Sequence, residues 1–99
     1  MILRGEPVMA RVHITVKGRV QGVGYRNWTA REAKRRHLRG WVRNSENGDV
    51  QIIAEGEERE LKALITELHC GPIFAKVTGV ETDWEPGDSE RAPDFKIRR

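Results

Sequence analysis

The stretch Ala10-Arg11-Val12-His13-Ile14-Thr15-Val16-Lys17-Gly18-Arg19-Val20-Gln21-Gly22-Val23-Gly24-Tyr25-Arg26 passes from one kind of backbone to another without a linker. As far as Lys17 it alternates. Val12, Ile14 and Val16 point one way, and Arg11, His13, Thr15 and Lys17 the other, the period-two pattern of a half-buried strand. Gly18, Gly22 and Gly24 then place three glycines in seven residues. Such a loop bends tightly and lets a ligand approach the backbone with no Cβ in the way. From Tyr25 to about Arg36 there is no Gly or Pro, and the Ala, Arg, Glu and Lys found there favour a helix. Backbone N–H groups in a turn of this kind converge on an anion, and the positive end of the following helix points at the same place. Arg26 falls in the first helical turn, where its guanidinium can fork two oxygens of a phosphate or carboxylate. Taken alone, the same residues also fit a plain strand-to-helix turn with a solvated arginine, because short motifs match by chance.

Beyond this stretch, Leu38 to Asn44 reads as a second strand, and Ser45-Glu46-Asn47-Gly48 as a hairpin turn in which Asn-Gly supplies positive φ. Asp49–Glu55 is a third strand, with Val50, Ile52 and Ala54 on one face and Gly56 ending it. Glu57, Glu58 and Glu60 crowd the start of a second helix, where negative charge suits the dipole. Leu61, Leu64, Ile65 and Leu68 give it the clearest amphipathic stripe in the chain. Gly71-Pro72 stops it. Ala75–Trp84 is a fourth strand. Val77 falls out of phase with Val80, Thr82 and Trp84, so a bulge is expected at Gly79. After a polar loop over residues 85–93, Phe95 and Ile97 make a short last strand. The order β-α-β-β-α-β implies an α+β, ferredoxin-like sandwich: an antiparallel sheet, two helices on one face, and a short extra C-terminal strand.

The chain's 99 residues are one domain's worth, read as a short N-terminal tail over 1–9 and a folded domain over 10–99. A third of the residues are charged and the net charge is +3, which favours small anionic substrates but falls short of a dedicated nucleic-acid binder. No stretch could span a membrane or serve as a signal peptide. The single cysteine, Cys70, cannot form an internal disulfide, which points to a reducing compartment and the cytoplasm; its expected role is packing. His13, His37 and His69 are scattered, with no partner at ligand spacing, so no metal is expected.

The hairpin carries Gly40-Trp41-Val42-Arg43-Asn44, followed by Gly48, Val50 and Gly56. With Gly18-Arg19-Val20-Gln21-Gly22-Val23-Gly24-Tyr25-Arg26 before it, the sequence resembles the acylphosphatase family from about Ala10 to Arg99, closing on Asp94-Phe95-Lys96-Ile97-Arg98. Gly24 stands where relatives often carry a larger residue, and His37 where many carry a helix-ending Gly; His tolerates the left-handed region better than most residues. The resemblance implies a hydrolase that cleaves the carboxyl–phosphate bond of acyl phosphates, without metal, cofactor or covalent intermediate. It implies that Arg26 binds the phosphate and Asn44 orients the attacking water. Gln21, Gly22, Val23, Gly24 and Tyr25 would supply backbone amides to the phosphate. A monomer is expected, acting on a small-molecule substrate.

The rival reading is a non-catalytic ferredoxin-like module that binds phosphate or RNA. The basic run Arg31, Lys34, Arg35, Arg36 and Arg39 invites it, although it also fits the solvated face of a helix. Against RNA, the third strand offers no aromatic residue on which bases could stack. Trp28, Trp41 and Trp84 are expected to pack, with Trp41 also placed to border the site. Thr29, one turn beyond Tyr25, could support the loop or a water, or simply pack.

Overall fold

A computed structural model describes residues 7–87 and 94–99. Strand β1 (Met9–Arg19) leads through the glycine loop into helix α1 (Tyr25–Arg35). The hairpin β2 (Arg39–Asn44) and β3 (Val50–Glu57) follows, then α2 (Glu58–Leu68), β4 (Lys76–Pro86) and β5 (Phe95–Ile97). The sheet order is β4-β1-β3-β2-β5. The first four strands pair antiparallel, as a ferredoxin-like sandwich requires. The short extra strand β5, whose direction the sequence pattern leaves open, pairs parallel to β2, Gly40 opposite Phe95 and Val42 opposite Ile97, so the five-stranded sheet is mixed. A chain that has already closed its antiparallel sheet can still add a strand to the free β2 edge, and the direction is set by where the preceding loop delivers it.

The alternating residues do what their spacing demands. Val12, Ile14 and Val16 of β1 meet Ile52 and Val50 of β3 on the buried face, under Leu61, Leu64 and Leu68 of α2 and Ala30 and Ala33 of α1. Both helices therefore cover one face. Arg11, His13, Thr15 and Lys17 occupy the other, where Arg11 pairs with Glu85 at 2.9 Å and Lys17 with Asp49 at 3.1 Å. Asp49's hydrogen bond and charge hold the Lys17 ammonium above its ordinary pKa.

Element ends shift by one or two residues, and three differences carry a physical reason. β3 does not end at Gly56 but runs through it to Glu57, because Ala10 of β1 is still there to pair with it. The expected bulge is real: Lys17 lies opposite Gly79 but Gly18 opposite Val77, so the extra residue is Thr78, beside Gly79. At the N-terminal side, Met9 pairs with Glu57 and belongs to β1, while residues 1–6 of the expected tail, like residues 88–93 of the polar loop, lie outside the described residues.

α1 ends on a left-handed cap. His37 has φ 59°, its N–H bonds to Lys34 C=O at 3.0 Å, and Leu38 N–H reaches back to Ala33 C=O at 2.9 Å. This is a Schellman motif with histidine where glycine is usual. Beside the cap an ion pair joins the two helices: Arg36 Nη1 lies 3.2 Å from Glu60 of the neighbouring α2.

Cys70 is exposed rather than packed. Of the tryptophans, Trp28 packs against the core with its ring 5.5 Å from that of Tyr25, whereas Trp84 remains 38% exposed. Trp41 lies on the face away from the helices, with the guanidinium groups of Arg98 and Arg43 at 4.8 and 5.2 Å from its ring centre.

Candidate active site

The glycine loop leaves the end of β1 and enters α1 at Gly24, the N-cap, with φ 79° and ψ 18°. Gly22 is also left-handed, at φ 76°. A Cβ at either position would meet nothing within 4 Å, so it is backbone conformation and not crowding that calls for glycine here. The departure at Gly24 thus trades a side chain for an unstrained turn. The first helical hydrogen bond runs from Trp28 N–H to Gly24 C=O at 3.0 Å. Among the described residues, no N–H from Gly22 to Arg26 donates to a backbone carbonyl. These donors sit at the positive end of an 11-residue helix with no acidic side chain in its first turn. Free N–H groups at a helix N-terminus can donate to an anion.

Two adjoining cavities open beside it. The inner one, about 130 Å³, is lined by Val20, Gly22, Gly24, Tyr25, Arg26, Asn27, Asn44 and Ile97. The outer one, about 680 Å³, shares Arg26, Asn27, Asn44 and Ile97 and adds Arg99. The fold therefore brings Gly22, Gly24, Tyr25 and Arg26 of the first motif to Asn44 of the second. Pairing of β2 with β3 and of β3 with β1 does this: Asn44 stands opposite Val50, and Val50 opposite Val16, at the strand end from which the loop springs.

The side chains of the expected set, whose backbone amides are what the cradle would use, do not all face the cavity. Val23 packs its side chain on the core. Gln21 turns away to brace the loop, its Nε2 donating to the backbone carbonyls of Ser45 at 2.8 Å and Asp49 at 2.9 Å. Tyr25 lends the cavity its backbone edge. Its ring is in the core and its hydroxyl donates to Leu68 C=O at 2.6 Å, tying α1 to the end of α2; burial pushes the phenol well above its ordinary pKa.

Arg26 is solvent-accessible, and its Nη1 donates to the backbone carbonyl of Arg98 at 3.0 Å. One guanidinium edge is thus pinned and the rest left to the cavity. Asn44 presents a buried Oδ1 with no hydrogen-bond partner. A buried amide oxygen of this kind costs about 1–3 kcal/mol unless something donates to it. The hydroxyl of Thr29 is likewise buried and unpartnered, on the inner face of α1. Asn27, Ile97, Arg98 and Arg99 were not singled out from the sequence as site residues. Asn27 could have been, as the neighbour of Arg26; the other three depend on where β5 docks. Among the described residues, no three His, Cys, Asp or Glu side chains gather where they could hold a metal ion. Among the described residues, no helix is long and apolar enough to cross a membrane.

The sequence pattern of the family described as Acylphosphatase matches residues 12–97, which take in the loop, the hairpin and β5. The chain is 44% identical over 89 residues to an acylphosphatase of Salinibacter ruber, an alignment covering 90% of this chain and 93% of the relative. It is 46% identical over 91 residues to an acylphosphatase of Nitratidesulfovibrio vulgaris, covering 91% of each. In three dimensions it is similar to the crystal structure of acylphosphatase from Bacillus subtilis, with a TM-score of 0.86 and 37% identity, covering 91% of this chain and 99% of that one. Fold, both motifs and full-length similarity agree, and the chain belongs to the acylphosphatase family of hydrolases.

Proposed function

We propose that the backbone N–H groups between Gln21 and Arg26 cradle the phosphate of an acyl phosphate, that Arg26 neutralises its charge, and that Asn44 orients the attacking water. The observation that carries this reading is that Asn44 lines one small cavity together with Arg26 and the glycine loop. A water held by the Asn44 amide there sits next to the anion cradle with a lone pair free for phosphorus.

The chemistry asks for little more. The leaving group is a carboxylate, which departs without a strong general acid. Phosphoryl transfer of this type rests on positioning and on charge stabilisation. The water oxygen bonds to phosphorus as the bond from phosphorus to the acyl oxygen breaks, and carboxylate and inorganic phosphate result. An amide cannot take the proton that water loses, so a phosphate oxygen of the substrate accepts it. With Arg26 and the amides compensating the charge, the reaction is independent of metal, and EDTA leaves the rate unchanged; a loss of activity on chelation would refute this.

Hydrolysis of benzoyl phosphate by Asn44→Ala tests the assignment. The expected result is kcat lowered about 10²-fold, with KM and inhibition by inorganic phosphate little changed, as for a group that acts on the water. Weaker phosphate inhibition with kcat intact would overturn it. The enzyme acts as a monomer in the cytoplasm, a reading supported by its lone, exposed Cys70 and its mild net charge. No nucleic-acid role is assigned: the outward positions of the central strands β1 and β3 (Arg11, His13, Thr15 and Lys17; Gln51, Ile53 and Glu55) carry no aromatic side chain.

A further inference from the structure

We propose that Arg99 forms an anion subsite for the acyl chain, so that the enzyme prefers acyl phosphates whose acyl group carries a second negative charge such as a carboxylate. This rests on the reading of the cavity as the site of acyl phosphate hydrolysis. The inner cavity has room for a phosphate and is edged by the loop, so a substrate bound there by its phosphate extends its acyl group toward the outer one. There the acyl group meets Ile97, which is 43% exposed and offers apolar surface to a short chain, the neutral residue Asn27, and two basic residues, Arg26 and Arg99. None of the side chains lining this cavity is acidic.

The two arginines are differently committed. Arg26 bonds to the Arg98 carbonyl and faces the phosphate. Arg99 makes no side-chain hydrogen bond or ion pair with any described residue, whereas Arg35, Arg36 and Arg59 pair with Glu32, Glu60 and Glu57. Arg99 is also held in place by its neighbour. The N–H of Arg98 donates to Val42 C=O at 2.8 Å and its C=O accepts from Arg26 at 3.0 Å. The backbone immediately before Arg99 is therefore fixed at both polar atoms, beside the residue that faces the phosphate. An unpaired guanidinium delivered in this way favours a ligand that brings its own anion, through a charge-assisted and often bidentate contact.

The test compares two aromatic acyl phosphates of similar size, 4-carboxybenzoyl phosphate and 4-methylbenzoyl phosphate; in the first, the para position keeps the carboxylate from attacking its own acyl group. The readout is the ratio of their kcat/KM values, which cancels any general effect on the cradle. The expected ratio in the native enzyme is above one. It falls about fivefold to tenfold in Arg99→Gln, the size of a partly exposed charge-assisted contact, and further in Arg99→Glu, chiefly through KM for the carboxylated substrate. Arg31→Gln removes the same charge from an exposed position of α1 and leaves the ratio where it was. An unchanged ratio in Arg99→Gln would overturn the subsite. So would an equal fall in Arg31→Gln, which would assign the preference to the field of the whole protein. If 4-methylbenzoyl phosphate is not hydrolysed by the native enzyme, it is the reading of the cavity that fails and not the subsite alone.

Discussion

The cavity has two walls, and they are built in opposite ways. One is Val20 to Asn27, a continuous run that bends at two left-handed glycines and presents the N-terminus of α1. The other is assembled from Asn44 on β2 and Ile97 to Arg99 at the end of β5, residues that come together only because β5 docks parallel on the β2 edge. The first wall is a local object: its shape follows from glycine positions and a helix start. The second is a product of topology, and no window of sequence contains it. Among the described residues, the walls are joined by the hydrogen bond from Arg26 to the carbonyl of Arg98 and by the Gln21 amide, which reaches the hairpin that carries Asn44. In the proposed mechanism the local wall supplies the charge, and the assembled wall holds that charge still and, through Asn44, orients the water.

The largest effect comes from removing the charge. Arg26→Ala is expected to lower kcat/KM for benzoyl phosphate at least ~10³-fold, about 4 kcal/mol of transition-state stabilisation, by analogy with other anion-stabilising arginines. The same variant should unfold in urea close to the native midpoint, since the side chain is solvent-accessible. A loss below tenfold would mean that the amides alone hold the phosphate.

Next is the anchor of the assembled wall. Phe95 is 1% exposed and sits opposite Gly40, so Phe95→Ala removes a buried ring from the β2–β5 junction. The expected cost is about 3–4 kcal/mol, read from equilibrium denaturation. With β5 loosened, the Arg98 carbonyl no longer restrains Arg26, and KM should rise at temperatures where the protein is still folded. Destabilisation with an unaltered KM would show that the local wall needs no support from β5.

Gln21 tests the brace between the walls. Its amide holds the loop to the Ser45 and Asp49 carbonyls of the hairpin that carries Asn44. Both carbonyls also serve the turn, accepting from Gly48 and Ser45, so neither is left bare in Gln21→Ala. Two side-chain hydrogen bonds in a half-buried setting are worth about 1–2 kcal/mol. Kinetics of the variant should show kcat/KM down about tenfold, with kcat carrying most of it if the brace sets the distance from phosphate to water.

The same contrast explains what could be read from the chain. Alternation in Val12, Ile14 and Val16 and the stripe Leu61, Leu64 and Leu68 each repeat with the period of the element they build, so strand and helix identities and the antiparallel core follow from periodicity. Arg26 and Asn44 stand out because each lies in a motif with its own spacing, and their meeting follows from strand pairing. Ile97, Arg98 and Arg99 carry no such mark. Three residues of β5 are too few for periodicity to fix a register, and the choice between parallel and antiparallel depends on the β2 edge, about 50 residues earlier in the chain. The reading of Gln21 concerns its backbone amide; that its side chain is a brace is not legible, because a motif marks position along the chain and not the direction of a rotamer. Trp41 illustrates the same point. Its place within the second motif suggested the cavity, but the odd positions of β2 face away from the helices, beside Arg43 and Arg98.

The smallest effect is a gain, and it separates stability from both walls. His37 closes α1 with φ 59°, a conformation that crowds Cβ against the carbonyl in any residue but glycine. Both hydrogen bonds of the cap use backbone atoms only, from His37 to Lys34 and from Leu38 to Ala33, so His37→Gly keeps them. The relief of strain is partly offset by the greater freedom glycine gives the unfolded chain. The net expectation is a stabilisation of about 0.5–1 kcal/mol, seen as a higher urea midpoint at unchanged slope. His37 lies beyond the C-terminal end of α1, while the cavity takes in the N-terminal turn, so kcat and KM for benzoyl phosphate should match the native values. A stabilised variant with altered KM would mean that α1 passes strain from cap to cradle, and that the local wall is less local than its sequence makes it look.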